Sequence, residues 1–505
     1  MSLMLQRLFE TLSGARRGEQ RPVLLSFLAL YFLLLSYYLV KPLREARLFM
    51  HFSADMLPYF FLAMPLIALL VTKFFNFWVG RVPRYRLMLY TYLLIVLCKL
   101  AFLISLPLTG RIATVIFFFW ASVYFTLALS ILWAVINTIF RSDQAERFFG
   151  FVALGATLGN ISGARLSSWL AGYEPLKDWA LLFAALAMGV ALGLIWLAVY
   201  FCEHSAESER QTSSARKAHV SRGWEDLREI LRNRYARGIA VMVFGLALMG
   251  TVINLQALRQ IDLSLAQKTY QEVFSSDSNT AQFETIYGLK KLSTEAQQTQ
   301  LTVLFKQAQF TAAEQARFEN QYTQYKESLE SKTRKLFADI YFWQGVLGIV
   351  LLTVVARFLF RRVGLRWSVL ILPGFFFIVG VALLFPVELM LVQLMLIVGG
   401  ALNYSLNNAT KELLYTPTDE SVRFQLKPLI EGPVMRIGDV SASVFKIVIS
   451  SALAVWIGLS EGLQGQLLLL FGLLVVIFWA WSIWQTGLSY DQSQQNRRRK
   501  ARTNA

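Results

Sequence analysis

Runs of about 20 predominantly apolar residues recur along almost the whole chain, and that is the length a helix needs to cross the hydrocarbon core of a bilayer. Twelve such stretches are readable, at 22–42, 56–79, 86–107, 112–139, 148–171, 178–201, 237–258, 338–359, 367–386, 388–409, 429–457 and 464–485. A β-barrel would instead show alternating segments of about ten residues, which this sequence lacks. With 56% hydrophobic residues among 505, the chain reads as an all-α polytopic membrane protein. The first run is full length, has no small-residue cleavage site and leads into further spans. Residues 1–20 are therefore not expected to be a cleaved signal.

The net charge is +17. In a soluble protein that surplus would suggest nucleic acid; here it fits an excess of Lys and Arg in cytoplasmic loops, and no nucleic-acid partner is expected. If the N-terminus is cytoplasmic, Arg7, Arg16, Arg17 and Arg21, then Arg81, Arg84 and Arg86, then Arg361, Arg362 and Arg366, and the tail "NRRRK" share one side. The short loops on the other side hold only Arg111 and Lys177. The expectation is a multi-pass protein of a bacterial inner membrane, in contact with its lipids, with both termini in the cytoplasm. Cys98 in the third span and Cys202 at the end of the sixth read as packing residues, and no disulfide is expected.

One stretch breaks the charge bias. In "SYYLVKPLREARLF" (36–49), Lys41, Arg44 and Arg47 arrive with Glu45 at the end of span 1 that the bias assigns to the outside. A cation at mid-span costs ~2.5–3.5 kcal/mol, so such residues face a bundle interior or a wet cavity and mark a substrate path.

The motif has an echo. "KPLRE" (41–45) resembles "QALRQ" (256–260), which matches Arg259 to Arg44. "FRSDQAERFFG" (140–150) resembles "TPTDESVRFQL" (416–426), and "GRVPRYR" after span 2 resembles "RRVGLR" after span 8. Spans 1–6 and 7–12 therefore read as two related six-helix halves, a parallel repeat of the kind many transporters use. The matched motifs lie further apart in the later pairs, which places an insertion between spans 7 and 8. The expected organisation is an N-terminal half (1–201), a cytoplasmic linker (202–236), span 7 (237–260), a helical periplasmic insertion (261–336), spans 8–12 (337–486) and a basic cytoplasmic tail (487–505). The insertion is polar with balanced charge. Its helix-start residues Ser293 and Thr311, and the helical spacing of Leu301, Leu304 and Phe305 and of Phe318, Tyr322 and Tyr325, predict two to four helices with a small core of their own. A protein or lipid partner for this cap is possible.

Enzyme chemistry finds no support. The three histidines have no metal-ligand spacing with Cys or carboxylates, so neither metal nor other cofactor is expected. No phosphate-binding G-x-x-x-x-G-K-[ST] loop and no G-x-S-x-G elbow occur. Asp143 with Arg147, and Asp419 with Arg423, sit in cytoplasmic turns and read as gate salt bridges or as simple solvated turns. "GATLGNISG" (155–163) places Gly155, Gly159 and Gly163 one helical turn apart, a pattern of close helix packing. Trp120, Trp133 and Trp169 read as packing or interface anchors.

"YYLVKPLREA", "LSILWAVINTIFRSDQAERFFGFVALGATLGNISG" and "NYSLNNATKELLYTPTDESVRFQLKPLIEGPVMRIGD" together resemble the ADP/ATP translocases of plastids and intracellular parasites, within a major-facilitator-like architecture. The resemblance covers most of the membrane portion and leaves out 261–336. It implies exchange of nucleotides across a membrane without hydrolysis. It assigns Lys41, Arg44 and Glu45 to the span-1 charge motif and Thr410, Lys411 and Glu412 to the span-10 motif, with Lys427 beyond. Two family positions differ: a span-4 carboxylate aligns with Ser122 and a span-10 lysine with Asn403. In such a bundle helices 1, 4, 7 and 10 line the central path, so Asn137, Arg259, Asn403, Asn407 and Asn408 join the candidate substrate residues. Cations there suit an anionic, phosphate-bearing substrate. The expectation is a secondary transporter of a small anion, with a nucleotide as first cargo. The alternatives are another anion or a phospholipid-like amphiphile, and a non-transporting scaffold whose outer cap binds a protein.

Overall fold

The computed structural model describes residues 15, 19–78, 81–140, 142–202, 228, 230, 232–274, 280–292, 294–307, 310–415 and 426–503. Among them nine stretches are long and apolar enough to cross a membrane. The sequence reading had twelve, and the difference has local causes. Candidates 86–107 and 112–139 are merged in one helical segment, Arg84–Ile139, broken at Gly110 where φ is 50° and ψ is −113°. A side chain at that φ would be strained, so glycine makes this turn. The helix over 148–171 is Ser142–Gly172, whose Gly, Ser, Thr and Asn content lowers its hydropathy. The stretch 429–457 is divided by wide π-type turns at Ile430–Val434 and Ile449–Leu453. Pro433 accounts for the first, because its nitrogen has no proton to donate.

The chain divides into two compact units. Unit 1 comprises Met1–Ser53, Ile67–Ala215 and Asp262–Gly345. Its axis is α1 (Gln20–His51), against which α2 (Leu57–Trp78) is not the main partner; α3 (Arg84–Ile139), α4 (Ser142–Gly172) and α5 (Ala180–Cys202) pack on it instead. The glycine stripe sets the α1–α4 contact. A β-carbon at Gly155, Gly159 or Gly163 would strike the backbone of Phe27, Tyr31 or Leu35 respectively, so the two helices touch main chain to main chain. Ser36 of α1 donates to the Ala184 carbonyl of α5 at 2.6 Å.

The insertion is helically continuous with the spans on either side of it. The helix of span 7, α6 (Arg234–Phe274), runs past residue 260 without a break. After α7 (Thr280–Leu289) and α8 (Thr294–Gln307), α9 (Ala312–Val350) carries the insertion directly into span 8. The boundaries expected at 260/261 and 336/337 therefore mark where polarity changes within continuous helices. A small core does form. Phe274, Phe305, Phe310, Tyr322 and Tyr325 all ring Phe318 or one another, with centroids 5.5–6.5 Å apart. Thr311 starts α9 as expected: its NH donates to Glu314 at 2.8 Å, and the Glu314 NH donates back to its hydroxyl at 3.3 Å. Ser293 lies outside the described residues. Buried Asp262 accepts from Lys290 at 3.0 Å and from Tyr287 at 2.7 Å, pinning α7 to α6. This segment is docked within unit 1 by Arg47–Glu330 (2.8 Å), by Ser331 to the Ala171 carbonyl (2.5 Å) and by Arg334 to the Lys177 carbonyl (2.5 Å).

Unit 2 comprises Ala54–Leu66, Arg216–Ile261 and Val346–Ala505. Beyond α9 it contains α10 (Leu365–Ser368), α11 (Ile371–Ala382), α12 (Leu389–Leu402), α13 (Asn408–Tyr415), α14 (Met435–Val448) and α15 (Glu461–Thr503). The unit-2 part of α6 and α15 run antiparallel in close contact: Gly465 faces Gln256, Gly472 faces Met249, Gly245 faces Trp479 and Gly238 faces Thr486.

Candidate functional site

The span-1 cations stand in unit 1: Arg44 and Arg47 each meet a carboxylate, whereas Lys41 is set among rings. The Lys41 ammonium lies 3.9 Å from the ring centroid of Tyr341, 5.2 Å from Tyr38 and 6.0 Å from Tyr37. Among the described residues no carboxylate comes within ion-pair distance of it. The rings are not incidental, since a partly desolvated cation over an aromatic face gains about 0.5–2 kcal/mol. One turn on, Arg44 forks. One nitrogen donates to Ser122 at 2.8 Å, another pairs with Glu45, and the guanidinium lies 5.1 Å from the Phe118 ring. Ser122, the position where the resembling family has a carboxylate, is thus in direct contact with Arg44. Its own hydroxyl proton goes to the Phe118 carbonyl at 2.7 Å.

The sequence reading passed over a third cation. Lys99 is fully buried on α3, donating to Ser36 at 2.5 Å and to the Ala184 carbonyl at 3.3 Å, with the Tyr124 ring 5.1 Å away. The signal was present in "LLIVLCKLAF", where a lysine interrupts an apolar run. Tyr124 and Tyr37 join the three cations, their ring centroids 6.2 Å apart. Three basic side chains thus share the single carboxylate of Glu45. Arg44 Nε and the Tyr124 hydroxyl are buried without a hydrogen-bond partner among the described residues. An unpaired buried donor costs roughly 1–3 kcal/mol, which an acceptor oxygen would relieve. The arrangement can therefore hold an anion with several oxygens.

The other expected site residues divide into groups. Asn137 is exposed at the C-terminal end of α3. Arg147 bonds Glu19 at 2.8 Å. The Asp143 side chain, and Asp419 and Arg423 altogether, lie outside the described residues. In unit 2, Arg259 donates to the Glu461 carboxylate at 2.5 Å and to its carbonyl at 3.0 Å, with Asp55 at 3.8 Å. Lys411 and Glu412 are adjacent in sequence, but each pairs elsewhere: Lys411 with Glu431 at 3.2 Å, and Glu412 with Lys427 at 2.8 Å. Asn407 donates to Asn403 at 3.3 Å within the wide turn Asn403–Asn407, and Asn408 is exposed. Two further polar contacts were not anticipated: Thr251 to Asp439 at 2.9 Å, and buried Lys446 to Gln464 at 3.4 Å.

Helices and spans define an all-α polytopic membrane protein, and comparison with known proteins places its fold. The crystal structure of the nucleoside transporter NupG matches 93% of this chain and 99% of that one, with a TM-score of 0.54 at 10% identity. The POT family transporter PepTSo covers 94% and 98% at 0.49 and 13% identity, and an inward-facing, unoccupied bacterial homolog of the human lysosomal transporter Spinster covers 95% and 99% at 0.48 and 10%. The fold rests on the first of these, and it is major-facilitator-like. The sequence matches no protein-family model and no curated protein.

Proposed function

We propose that the protein is a secondary transporter of an anionic solute of the nucleotide class, moved by alternating access without hydrolysis. The observation that carries this reading is the cluster of Lys41, Arg44 and Lys99 with its single carboxylate and its rings. A scaffold has no use for three basic side chains around one carboxylate in a membrane bundle, whereas a transporter of anions does. Guanidinium and ammonium groups together match phosphate oxygens, the first as a fork and the second as a point charge. The resemblance of the span-1 and span-10 motifs to ADP/ATP translocases supports a nucleotide over a simpler anion. In this reading both termini are cytoplasmic, and Arg259, Lys411 and Glu412 hold unit 2 through ion pairs.

The test is counterflow in proteoliposomes loaded with unlabelled ADP and offered labelled ATP, ADP, a nucleoside, inorganic phosphate or lysophospholipid. Labelled ATP and ADP should accumulate and the nucleoside should not. Lys41→Met should lower that uptake at least tenfold while the protein stays monodisperse. Exchange of lysophospholipid alone would support an amphiphile as cargo. No exchange of any member would leave the scaffold reading.

A further inference from the structure

Where α6 begins and α15 approaches its polar end, unit 2 carries a cavity of about 440 Å³ that the transport reading does not use. Each helix gives it one face. On α6 these are Arg234, Arg237, Gly238 and Val241, spaced as one helical stripe; on α15 they are Phe478, Trp481, Gln485 and Ser489, spaced likewise. The tight contact of Gly238 with Thr486 closes the floor between them.

The cavity has two ends of different chemistry. At one end, Arg234 and Arg237 are exposed, and no carboxylate lines the cavity among the described residues. Arg234 and the Gln485 amide have no protein partner among the described residues. About 10 Å further along the axis, at 1.5 Å per residue, Val241 and Phe478 form an apolar wall beside Trp481. Phe478 and Trp481 are 54% and 60% exposed on a helix long and apolar enough to cross a membrane, a position that suits contact with acyl chains. The hydroxyls are already committed: Ser489 donates to the Gln485 carbonyl at 3.1 Å and Thr486 to the Ser482 carbonyl at 3.0 Å. Their oxygens are left as acceptors only. Donors for an anion therefore come from the Arg234 guanidinium and the Gln485 amide, with Arg237 beside them, and the Ser489 hydroxyl oxygen suits a group that itself donates.

The geometry points to a site for one anionic glycerophospholipid of the phosphatidylglycerol type. Its phosphate lies against Arg234 and the Gln485 amide, beside Arg237, a headgroup hydroxyl donates to Ser489, and an acyl chain covers Phe478 and Trp481. Basic pockets between spanning helices hold anionic headgroups in this way, with each nearby cation contributing to retention.

Native mass spectrometry of the full-length protein in detergent tests this with three probes: phosphatidylglycerol, phosphatidylcholine and soluble glycerol phosphate. Wild type should retain one phosphatidylglycerol at least tenfold more tightly than phosphatidylcholine. R234Q/R237Q should lose that preference, and R86Q/R362Q, with the same charge removed elsewhere, should keep it. Q485L keeps the charge and should bind severalfold more weakly, so the assignment remains testable if the double variant does not fold. Equal retention of both lipids by wild type, unchanged binding in both R234Q/R237Q and Q485L, or equal loss in R86Q/R362Q would overturn the site. Competition by glycerol phosphate as effective as by the lipid would overturn the lipid in favour of a soluble phosphate.

Discussion

Substituting Gly159 by alanine tests the α1–α4 contact, because the structure fixes both the sign and the scale of the outcome. A β-carbon there would overlap the Tyr31 carbonyl oxygen and sit 2.9 Å from its carbon and 3.0 Å from its Cα. Ordinary carbon contacts lie at about 3.5–4.0 Å, so the helices must part by on the order of 1 Å or bend. The atoms met are main chain, so no side-chain rotation absorbs the clash. Over-packing of this kind costs about 1–3 kcal/mol, and the upper half applies because separating α1 from α4 also loosens Gly155 and Gly163. Gly189 on α5 is the control, since a β-carbon there meets nothing within 4 Å. Gly189→Ala should be neutral or stabilising by up to about 1 kcal/mol through reduced chain entropy. The assay is the melting midpoint of purified protein in one detergent. Gly159→Ala should melt several degrees lower and Gly189→Ala no lower than wild type. Equal midpoints for Gly159→Ala and wild type would refute the backbone contact, and equal falls in both variants would show only that glycine is generally favoured.

Arg44→Lys should reduce counterflow at least tenfold with little change in melting, because an ammonium cannot hold Ser122 and Glu45 while also reaching a ligand; near-normal uptake would show that charge alone suffices. Lys290→Met leaves the Asp262 carboxylate buried without its cation and should cost about 3–5 kcal/mol, while Asp262→Leu with Lys290→Met should recover most of it. Paired melting curves decide, and no recovery would mean that the pair does not act as a unit. Lys411→Glu should impair uptake through repulsion of Glu431, and adding Glu431→Lys should partly restore it; absence of rescue would separate the two residues functionally.

Hydropathy marked where the membrane is, and it did so because a spanning run must be apolar whatever it packs against. It did not mark where helices end. α6 passes from apolar span to polar extension without a break, and α9 does the reverse, because the helical period continues when the solvent changes. The boundaries read at 260 and 336 therefore mark a change of composition within continuous helices, not helix ends. Patterns confined to one helix were legible for the same reason: the glycine stripe, the Thr311–Glu314 start and the spacing of Phe318, Tyr322 and Tyr325 are local. Lys99 was also locally visible, as a charge within an apolar run, but its meaning depends on Ser36 and Ala184, which lie on other helices.

What neutralises a buried charge is a long-range fact, and Arg44 and Arg259 show how much turns on it. The two occupy matched places in the repeat, and sequence alone gives them one role. Arg259 is met by Glu461 and Asp55, both far from it in the chain, so its charge is spent on an ion pair within unit 2. Arg44 has only its neighbour Glu45, and Lys41 and Lys99 are held by rings, a hydroxyl and a carbonyl, none of which carries a countercharge. A repeat preserves the position of a cation, but each copy acquires its partners separately. The excess of basic side chains over carboxylates is therefore a property of unit 1's cluster, and it is this excess that the proposed anionic cargo would answer.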